Sequence, residues 1–239
     1  MLKAVLFDFN GVIINDEKTH ERLIEQLLLE ENIRPNATDF ARYCVGRSDR
    51  MALKDLFESR GRFVTETYLQ DLINRKARAY FRELETLEKL PTYPGLEDLI
   101  FKLQGLQCKL AVVSGALTAE IEVVLDRLNI RNLFSVIVAG DDITTSKPEP
   151  DGYLLGIERL KTAFPELNLQ PQDCLAIEDT IAGLTAAKRA GISVVGIANT
   201  YPFHMMQRWA NWAIDYFTDL ELDRIQEQFD KASPDNAPT

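Results

Sequence analysis

The sequence predicts an α/β protein: a doubly wound parallel sheet with a smaller helical domain inserted after the first strand. After residue 95, apolar runs alternate with helical segments of roughly 10 to 15 residues, which is the pattern of β-α-β units. The apolar runs are continuous, as strands covered on both faces require. Residues 17–88, in contrast, show helical texture without strand signals, which predicts an all-helical insertion.

The first element is an apolar strand over residues 3–8, within "KAVLFDF". The segment "THERLIEQLLLEENI" follows, and its side chains Leu23, Leu27 and Leu28 share one helical face. Two further segments, "DRMALKDLFESRG" and "ETYLQDLINRKARAYFREL", continue this texture. We therefore expect helices throughout residues 17–88.

After "PTYPG" (91–95) helices and strands alternate to the end of the fold. The predicted helices are "LEDLIFKLQG", "TAEIEVVLDRLNI", "DGYLLGIERL" and "TIAGLTAAKRAG", and the predicted strands are "KLAVVSG", "FSVIVAGDD", "CLAIED", "SVVGIA" and "WAIDYF". The chain then divides into a core domain, residues 1–15 with 91–230, and a helical cap domain, residues 16–90. The tail 231–239 has Pro, Ser and Asn with little to bury, which predicts disorder.

Composition restricts the partners of the chain. Its 239 residues are 46% hydrophobic and 27% charged with a net charge of −10, which is typical of a globular protein in solution. An acidic chain without a dense basic run is a poor binder of nucleic acid or anionic membranes, and no apolar run approaches the roughly 20 residues of a membrane helix. The three cysteines, Cys44, Cys108 and Cys174, are too scattered for a disulfide framework or a metal site and are expected to be buried. We expect a cytoplasmic monomer or homodimer. Because the chain is acidic, it needs a local cation to hold an anionic substrate.

Polar side chains end four of the predicted strands. They are Asp8, Ser114, Lys147 just beyond its strand, and the pair Glu178-Asp179. Because ligands bind at the carboxyl ends of parallel strands, these side chains are expected to share one pocket. Carboxylate oxygens suit Mg²⁺, and a lysine together with a hydroxyl followed by Gly115 suits a phosphate.

Four motifs in this order resemble those of the haloacid dehalogenase superfamily, in the subgroup with a helical cap. The motifs are "DFNGV" at residues 8–12, "VVSGA" around Ser114, "KPEPDGY" from Lys147, and "IEDTIAGLTAAKRAG" from residue 177. The most similar members by pattern are the β-phosphoglucomutase-like and phosphoglycolate-phosphatase-like enzymes. The resemblance covers residues 3–217, and the ordered set is specific although each motif alone is weak.

The resemblance implies a phosphatase in which Asp8 attacks phosphorus and becomes an aspartyl-phosphate, with Asn10 and Lys147 as the other catalytic residues. The implied Mg²⁺ ligands are Asp8, the backbone carbonyl of Asn10, Glu178 and Asp179. The implied phosphate-binding residues are Gly11, Ser114, Gly115 and Lys147. Catalysis would then rest on positioning and charge neutralisation.

Asn10 departs from the superfamily motif D-x-D-G-[TV], whose second Asp protonates the leaving oxygen and deprotonates water. An amide cannot exchange protons in this way. The change predicts preserved metal and phosphate binding and a loss of acid–base assistance, which is worth about 10²–10⁴-fold in rate. Four explanations are open: a slow phosphatase, or one whose leaving group needs no proton; a binder of a phosphorylated metabolite without turnover; an Asn introduced in place of Asp; or deamidation of Asn10-Gly11, which would restore the acid.

The resemblance also places substrate contacts in the inserted segment. "VGRSDR" is similar to a loop that touches substrate in relatives, which makes Gly46, Arg47 and Ser48 candidates, with Arg47 suited to a second anionic group. His20 lies one helical turn after Asp16, where a histidine supports proton transfer in mutase relatives. The sequence thus predicts a Mg²⁺-dependent phosphatase acting on a small phosphorylated metabolite. A sugar-phosphate mutase and a non-catalytic metabolite-binding protein are the alternatives.

Overall fold

The computed structural model describes residues 1–231 and contains one parallel sheet. The strands are β1 (Ala4–Phe7), β2 (Lys109–Val113), β3 (Phe134–Val138), β4 (Cys174–Glu178), β5 (Ser193–Ile197) and β6 (Trp212–Ile214). The six strands lie in the order β3-β2-β1-β4-β5-β6, and every neighbouring pair is parallel. This sheet confirms the predicted fold class, and it puts the first strand of the chain at the centre.

Nine α-helices occupy the described residues. They are α1 (Glu17–Glu30), α2 (Asp49–Ser59), α3 (Glu66–Thr86), α4 (Leu96–Gly105), α5 (Thr118–Arg127), α6 (Asp151–Ala163), α7 (Ile181–Arg189), α8 (Phe203–Trp209) and α9 (Leu222–Lys231). Short π and 3₁₀ turns, such as Phe40–Cys44, join some of them. Of the described residues, none between β1 and β2 forms a strand, as the helical texture predicts.

An apolar cluster lies on each face of the sheet, and the central strand sends alternate side chains to the two clusters. In β1, Val5 and Phe7 enter one cluster, whereas Ala4 and Leu6 enter the other. Because both faces are buried, the strand is apolar at every position, which explains its continuous run in the sequence. The polar residues that follow the strands are therefore confined to the carboxyl edge.

Helices α1, α2 and α3 contribute to an apolar cluster of their own. Its buried members include Leu28, Leu53, Leu56 and Leu72, and all of the buried members come from residues 24–73. This separate cluster is consistent with a helical unit whose helices bury their apolar faces against one another. The boundaries 16–90 of a cap domain stay a prediction.

The end of the described chain differs from the sequence-based expectation in an additional helix and in the start of the tail. Lys231, placed in the disordered tail, is the last residue of α9. This helix was missed; its residues Leu222, Ile225 and Phe229 share one face and are buried. The rest of the predicted tail, residues 232–239, lies outside the described residues.

The cysteines and the helix lengths bear on the remaining compositional predictions. All three cysteines are free; Cys108 and Cys174 are buried, whereas Cys44 is only partly buried. Within residues 1–231, every helix is too short or too polar to cross a lipid bilayer.

Candidate active site

The carboxyl edge of the sheet brings together the charged residues that the motifs singled out. Asp8 directly follows β1, and its N–H donates a hydrogen bond to the carbonyl of Ile177 in β4, at 3.0 Å. Glu178 ends β4 and Asp179 follows it, so the neighbouring strands place three carboxylates side by side. Asp8, Lys147, Glu178 and Asp179, here named the strand-end cluster, are all buried.

Lys147 is the cation of the strand-end cluster. Its Nζ lies 2.7 Å from Asp8 Oδ1 and 2.6 Å from Glu178 Oε1. Tyr153 of α6 donates its hydroxyl hydrogen to the same Glu178 oxygen, at 2.6 Å. Although burial opposes the charge, the two carboxylates raise the pKa of Lys147, so it stays an ammonium that can hold a phosphoryl oxygen.

The three carboxylates fit a divalent metal ion. One ligand oxygen from each of Asp8, Glu178 and Asp179 lies within 4.8 Å of the others. Burial and then the charge of Asp8 raise the pKa of Glu178 to about 7, and burial and then Glu17 raise the pKa of Asp179 well above its usual range. Asp179 Oδ1 is buried and has no hydrogen-bond partner. A hard cation such as Mg²⁺ binds carboxylate oxygens, so it would neutralise these crowded carboxylates and give the unpaired oxygen of Asp179 a partner.

Ser114 and the two motif glycines surround this cluster. Ser114 follows β2, is buried, and its Oγ accepts a hydrogen bond from the N–H of Ala116, at 3.0 Å. A side chain at position 115 would meet the Cα of Ser48 at 2.8 Å, so glycine is needed where this loop meets the inserted segment. Gly11 has a φ of +79°, and a Cβ there would lie 1.9 Å from an oxygen of Asp179.

The backbone N–H of Gly11 is occupied by a hydrogen bond within the protein. It donates to the carbonyl of Ile14, at 2.8 Å, in the turn after β1. Gly11 therefore makes room for Asp179. Its backbone N–H is already hydrogen-bonded to Ile14, so it is not free for the predicted contact with phosphate. The same hydrogen bond restrains the nitrogen that deamidation of Asn10 would require, which counts against that explanation.

Asn10 is partly buried and belongs to a second group, named here the Asn10 cluster: Asn10 and the buried residues Asp16, His20 and Tyr80. Asn10 Nδ2 donates to both oxygens of Asp16, at 3.0 and 3.2 Å, and lies 3.1 Å from His20 Nε2. Tyr80 donates to Asp16 and stacks on the His20 ring, with 4.6 Å between the centroids. Burial alone would raise the pKa of Asp16, but the charge of His20 and the hydrogen bonds from His20, Tyr80 and Asn10 hold it below its usual value. Asp16 thus fixes the amide of Asn10 as a donor.

The predicted substrate loop contacts the core. The N–H of Ser48 donates to Ser146 Oγ at 2.8 Å, and a Cβ at Gly46 would come 2.8 Å from Thr180 Oγ1. His20, Gly46 and Arg47 line the same cavity as Asp8 and Lys147, whereas Ser48 lines the neighbouring one. Arg47 donates to Asp55 Oδ2 at 2.6 Å. The cavity thus unites the strand ends with the inserted segment, and the roles of these residues stay predictions.

Four charged residues that line this cavity were missed by the sequence analysis. One is Glu17 of α1, and the other three form what we name the helix-face cluster: Asp49, Lys76 and Glu120. They come from α2, α3 and α5 and all line the cavity that contains Asp8. Lys76 Nζ lies 2.5 Å from Asp49 Oδ2 and 3.8 Å from Glu120 Oε1. A signal did exist, because Lys76 falls on the buried stripe of α3, between Ile73 and Tyr80.

Comparisons with known proteins agree with the motifs. A family model described as haloacid dehalogenase-like hydrolase matches residues 5–197. Validoxylamine A 7'-phosphate phosphatase of Streptomyces hygroscopicus subsp. limoneus is 29% identical over 201 residues, which are 84% of this chain and 88% of that protein. β-Phosphoglucomutase of Bacillus subtilis (strain 168) is 29% identical over 232 residues, 96% of each chain. The crystal structure of a β-phosphoglucomutase from Clostridium difficile superposes with a TM-score of 0.82 at 24% identity, covering 97% of this chain and 98% of that one, and shows the shared fold.

Proposed function

The chain belongs to the family of haloacid dehalogenase-like hydrolases, and we propose that it is a Mg²⁺-dependent phosphatase of a small phosphorylated metabolite. The reaction passes through an aspartyl-phosphate on Asp8. Relatives that are named phosphatases of phosphorylated compounds support this class of reaction.

The strand-end cluster is the observation that carries the proposal. A buried carboxylate that is to attack a phosphoryl group needs cations around it, because both partners are anionic. Lys147 supplies one charge, at 2.7 Å from Asp8. Asp8, Glu178, Asp179 and the backbone carbonyl of Asn10 would hold Mg²⁺, which supplies the remaining positive charge for the transferring phosphoryl group.

The chemical steps are divided among the residues of the chain. An oxygen of Asp8 bonds to phosphorus while the bond from phosphorus to the ester oxygen breaks, and Lys147 and Ser114 hold the phosphoryl oxygens. Water then attacks the phosphorus, which releases inorganic phosphate and frees Asp8. The leaving oxygen must gain a proton in the first step, and the attacking water must lose one in the second.

Asn10 cannot carry either proton. Its amide nitrogen already donates to Asp16, so it can orient a leaving group or a water only through its carbonyl oxygen. A slow phosphatase is the expected consequence. The same hydrogen bonds favour a second candidate, a protein that binds a phosphorylated metabolite with Mg²⁺ and does not turn it over.

Release of phosphate from a panel of sugar and organic-acid phosphates tests the proposal. The variants are Asn10→Asp and the exchange variant Asn10→Asp with Asp16→Asn, and intact masses are recorded for each protein. In the single variant two carboxylates face each other, whereas the exchange keeps one acid and one amide. We expect the exchange variant to release phosphate about 10²–10⁴-fold faster than the parent, with the single variant between them.

Two controls decide between the candidates. Asp8→Asn should abolish Mg²⁺-dependent release, and Asn15→Asp at an exposed position should leave it unchanged. The phosphatase is supported if the parent releases phosphate slowly and the Asp8→Asn substitution abolishes this release. Release by the exchange variant alone supports the binding protein. No release by any of them, with any ester, contradicts the proposed reaction.

A further inference from the structure

The cavity has two charged ends. The strand-end cluster, where the phosphoryl group is expected, forms one end, and the helix-face cluster of Asp49, Lys76 and Glu120 faces the same space. Whatever the phosphate is attached to must therefore lie among these helix residues. Their charge restricts the substrate.

The helix-face cluster offers no unbalanced cation. Lys76 has a side chain that is 2% exposed, and it lies between two carboxylates, 2.5 Å from Asp49 and 3.8 Å from Glu120. Two acids thus face one cation, and although burial raises the pKa of Glu120, the charge of Lys76 opposes that rise. Although burial opposes the charge, Asp49 and Glu120 raise the pKa of Lys76, so the ammonium stays charged and remains neutralised by its neighbours.

Arg47 is balanced in the same way. It is the remaining guanidinium or ammonium among the described residues that line this cavity, apart from Lys76 and the phosphate-side Lys147. Its Nη2 donates to Asp55 at 2.6 Å and its Nη1 donates to the carbonyl of Tyr43 at 3.3 Å. A second anionic group on the substrate would have to compete with a carboxylate for either cation.

Glu120 offers an unsatisfied hydrogen-bond acceptor beside the cavity. The residue is completely buried, and one oxygen accepts the N–H of Leu117 at the start of α5. The other oxygen, Oε1, is buried without a hydrogen-bond partner. A buried acceptor of this kind is costly unless a donor meets it, and in this cavity the donor can come from the substrate.

We propose that the helix-face cluster selects monophosphate esters whose remaining part is uncharged and rich in hydroxyl groups, and rejects bisphosphates and phosphorylated carboxylic acids. Hydroxyl hydrogens donate to Glu120 Oε1 and Asp49, and hydroxyl oxygens accept from Lys76. A second phosphate or a carboxylate brings only acceptors and negative charge to two carboxylates. This inference rests on the proposed function, because it presumes that the phosphoryl group binds at the strand-end cluster.

Binding of matched ligands in the presence of Mg²⁺ tests this selectivity. Titration calorimetry compares fructose 6-phosphate with fructose 1,6-bisphosphate, and 2-hydroxyethyl phosphate with 2-phosphoglycolate. The protein carries Asp8→Asn, so that turnover does not consume the ligand. We expect the uncharged member of each pair to bind at least about tenfold more tightly, since like charges repel strongly in a buried site.

Charge-removing variants identify the residues responsible. Glu120→Gln and Asp49→Asn should each reduce the preference for the uncharged member by about tenfold, because each removes one repelling charge. Asp126→Asn, at an exposed position on α5, is the matched control and should leave both ratios unchanged. Equal or tighter binding of the bisphosphate or of 2-phosphoglycolate overturns the inference, as does a preference that neither variant alters.

Inorganic phosphate separates this inference from the proposed function. If the parent binds phosphate with Mg²⁺ and the selectivity is reversed, the inference fails while the phosphate site stands. If the parent does not bind phosphate, the proposed function fails, and the selectivity argument fails with it.

Discussion

The strand-end cluster and the helix-face cluster both bury one lysine among carboxylates, but they are built differently. In the first, Lys147 faces carboxylates that follow β1 and β4, two neighbouring strands with fixed register. In the second, Lys76 on α3 meets Asp49 on α2 and Glu120 on α5. The first has three carboxylates for one lysine, and the second has two.

The surplus of carboxylates separates a reaction centre from a binding surface. In the strand-end cluster, burial and mutual repulsion raise the pKa values of Glu178 and Asp179, so the cluster is prepared for a further cation. In the helix-face cluster, burial raises the pKa of Glu120 as well, but Lys76 lies beside both acids and opposes this rise. One oxygen of Glu120 remains an unsatisfied acceptor. One end of the cavity thus requires positive charge, and the other requires a neutral donor.

Removing the lysine of the helix-face cluster should have the largest effect on stability. Lys76→Met leaves the buried Glu120 and the partly buried Asp49 without a counter-charge, and breaking a buried pair costs about 3–5 kcal/mol. We expect the free energy of unfolding in urea to fall by that amount. Adding Glu120→Gln should recover part of the loss, because one unpaired charge is then gone.

Arg78→Met is the matched control for this substitution. Arg78 is exposed on the same helix, so its loss should change the free energy of unfolding by less than about 0.5 kcal/mol. A Lys76→Met protein as stable as the Arg78→Met protein would show that the helix-face cluster is solvated and not a buried ionic group.

Removing the lysine of the strand-end cluster should act on the reaction. Lys147→Met in the presence of Mg²⁺ leaves the carboxylates neutralised by the metal, so we expect a smaller loss of stability than for Lys76→Met. Release of phosphate should fall about 10²–10³-fold, or roughly 3–4 kcal/mol of barrier, because one donor to the phosphoryl oxygens is lost. Lys102→Met, at an exposed position on α4, is the control and should release phosphate at the parental rate. The same rate for the Lys147→Met protein would contradict a role of Lys147 in the reaction.

The difference between the clusters also explains what could be predicted from the sequence. Parallel strands end at a common edge, so Asp8, Ser114 and Glu178 could be placed together from their positions alone. The continuous apolar strands likewise predicted the sheet. Lys147 lies well beyond the end of β3, so it was found through its sequence motif and not through its position at a strand end.

The helix-face cluster could not be assembled in this way, because the sequence does not fix how α2, α3 and α5 pack against one another. The local signal was nevertheless present. Lys76 follows Leu69, Leu72 and Ile73 on the buried stripe of α3, and Glu120 precedes Ile121 and Val124 on that of α5. A charged residue at such a position is expected to have a buried partner. Its partner, however, becomes visible only in three dimensions.

Binding of Mg²⁺ to the folded protein gives the last and smallest expected difference between the clusters. A ligand that binds only the native state at a concentration 100 times its Kd stabilises it by about 2.7 kcal/mol. We expect Mg²⁺ to raise the melting temperature of the parent accordingly, and a chelator to reverse the effect. Asp179→Asn should abolish the rise, since it removes one of the three carboxylates that lie together. Glu120→Gln should retain it, since Glu120 is the buried acid of the other cluster and its neighbour Lys76 would repel the metal. A rise that survives Asp179→Asn but disappears with Glu120→Gln would place the cation at the helix-face cluster and reverse the assignment of the two ends of the cavity.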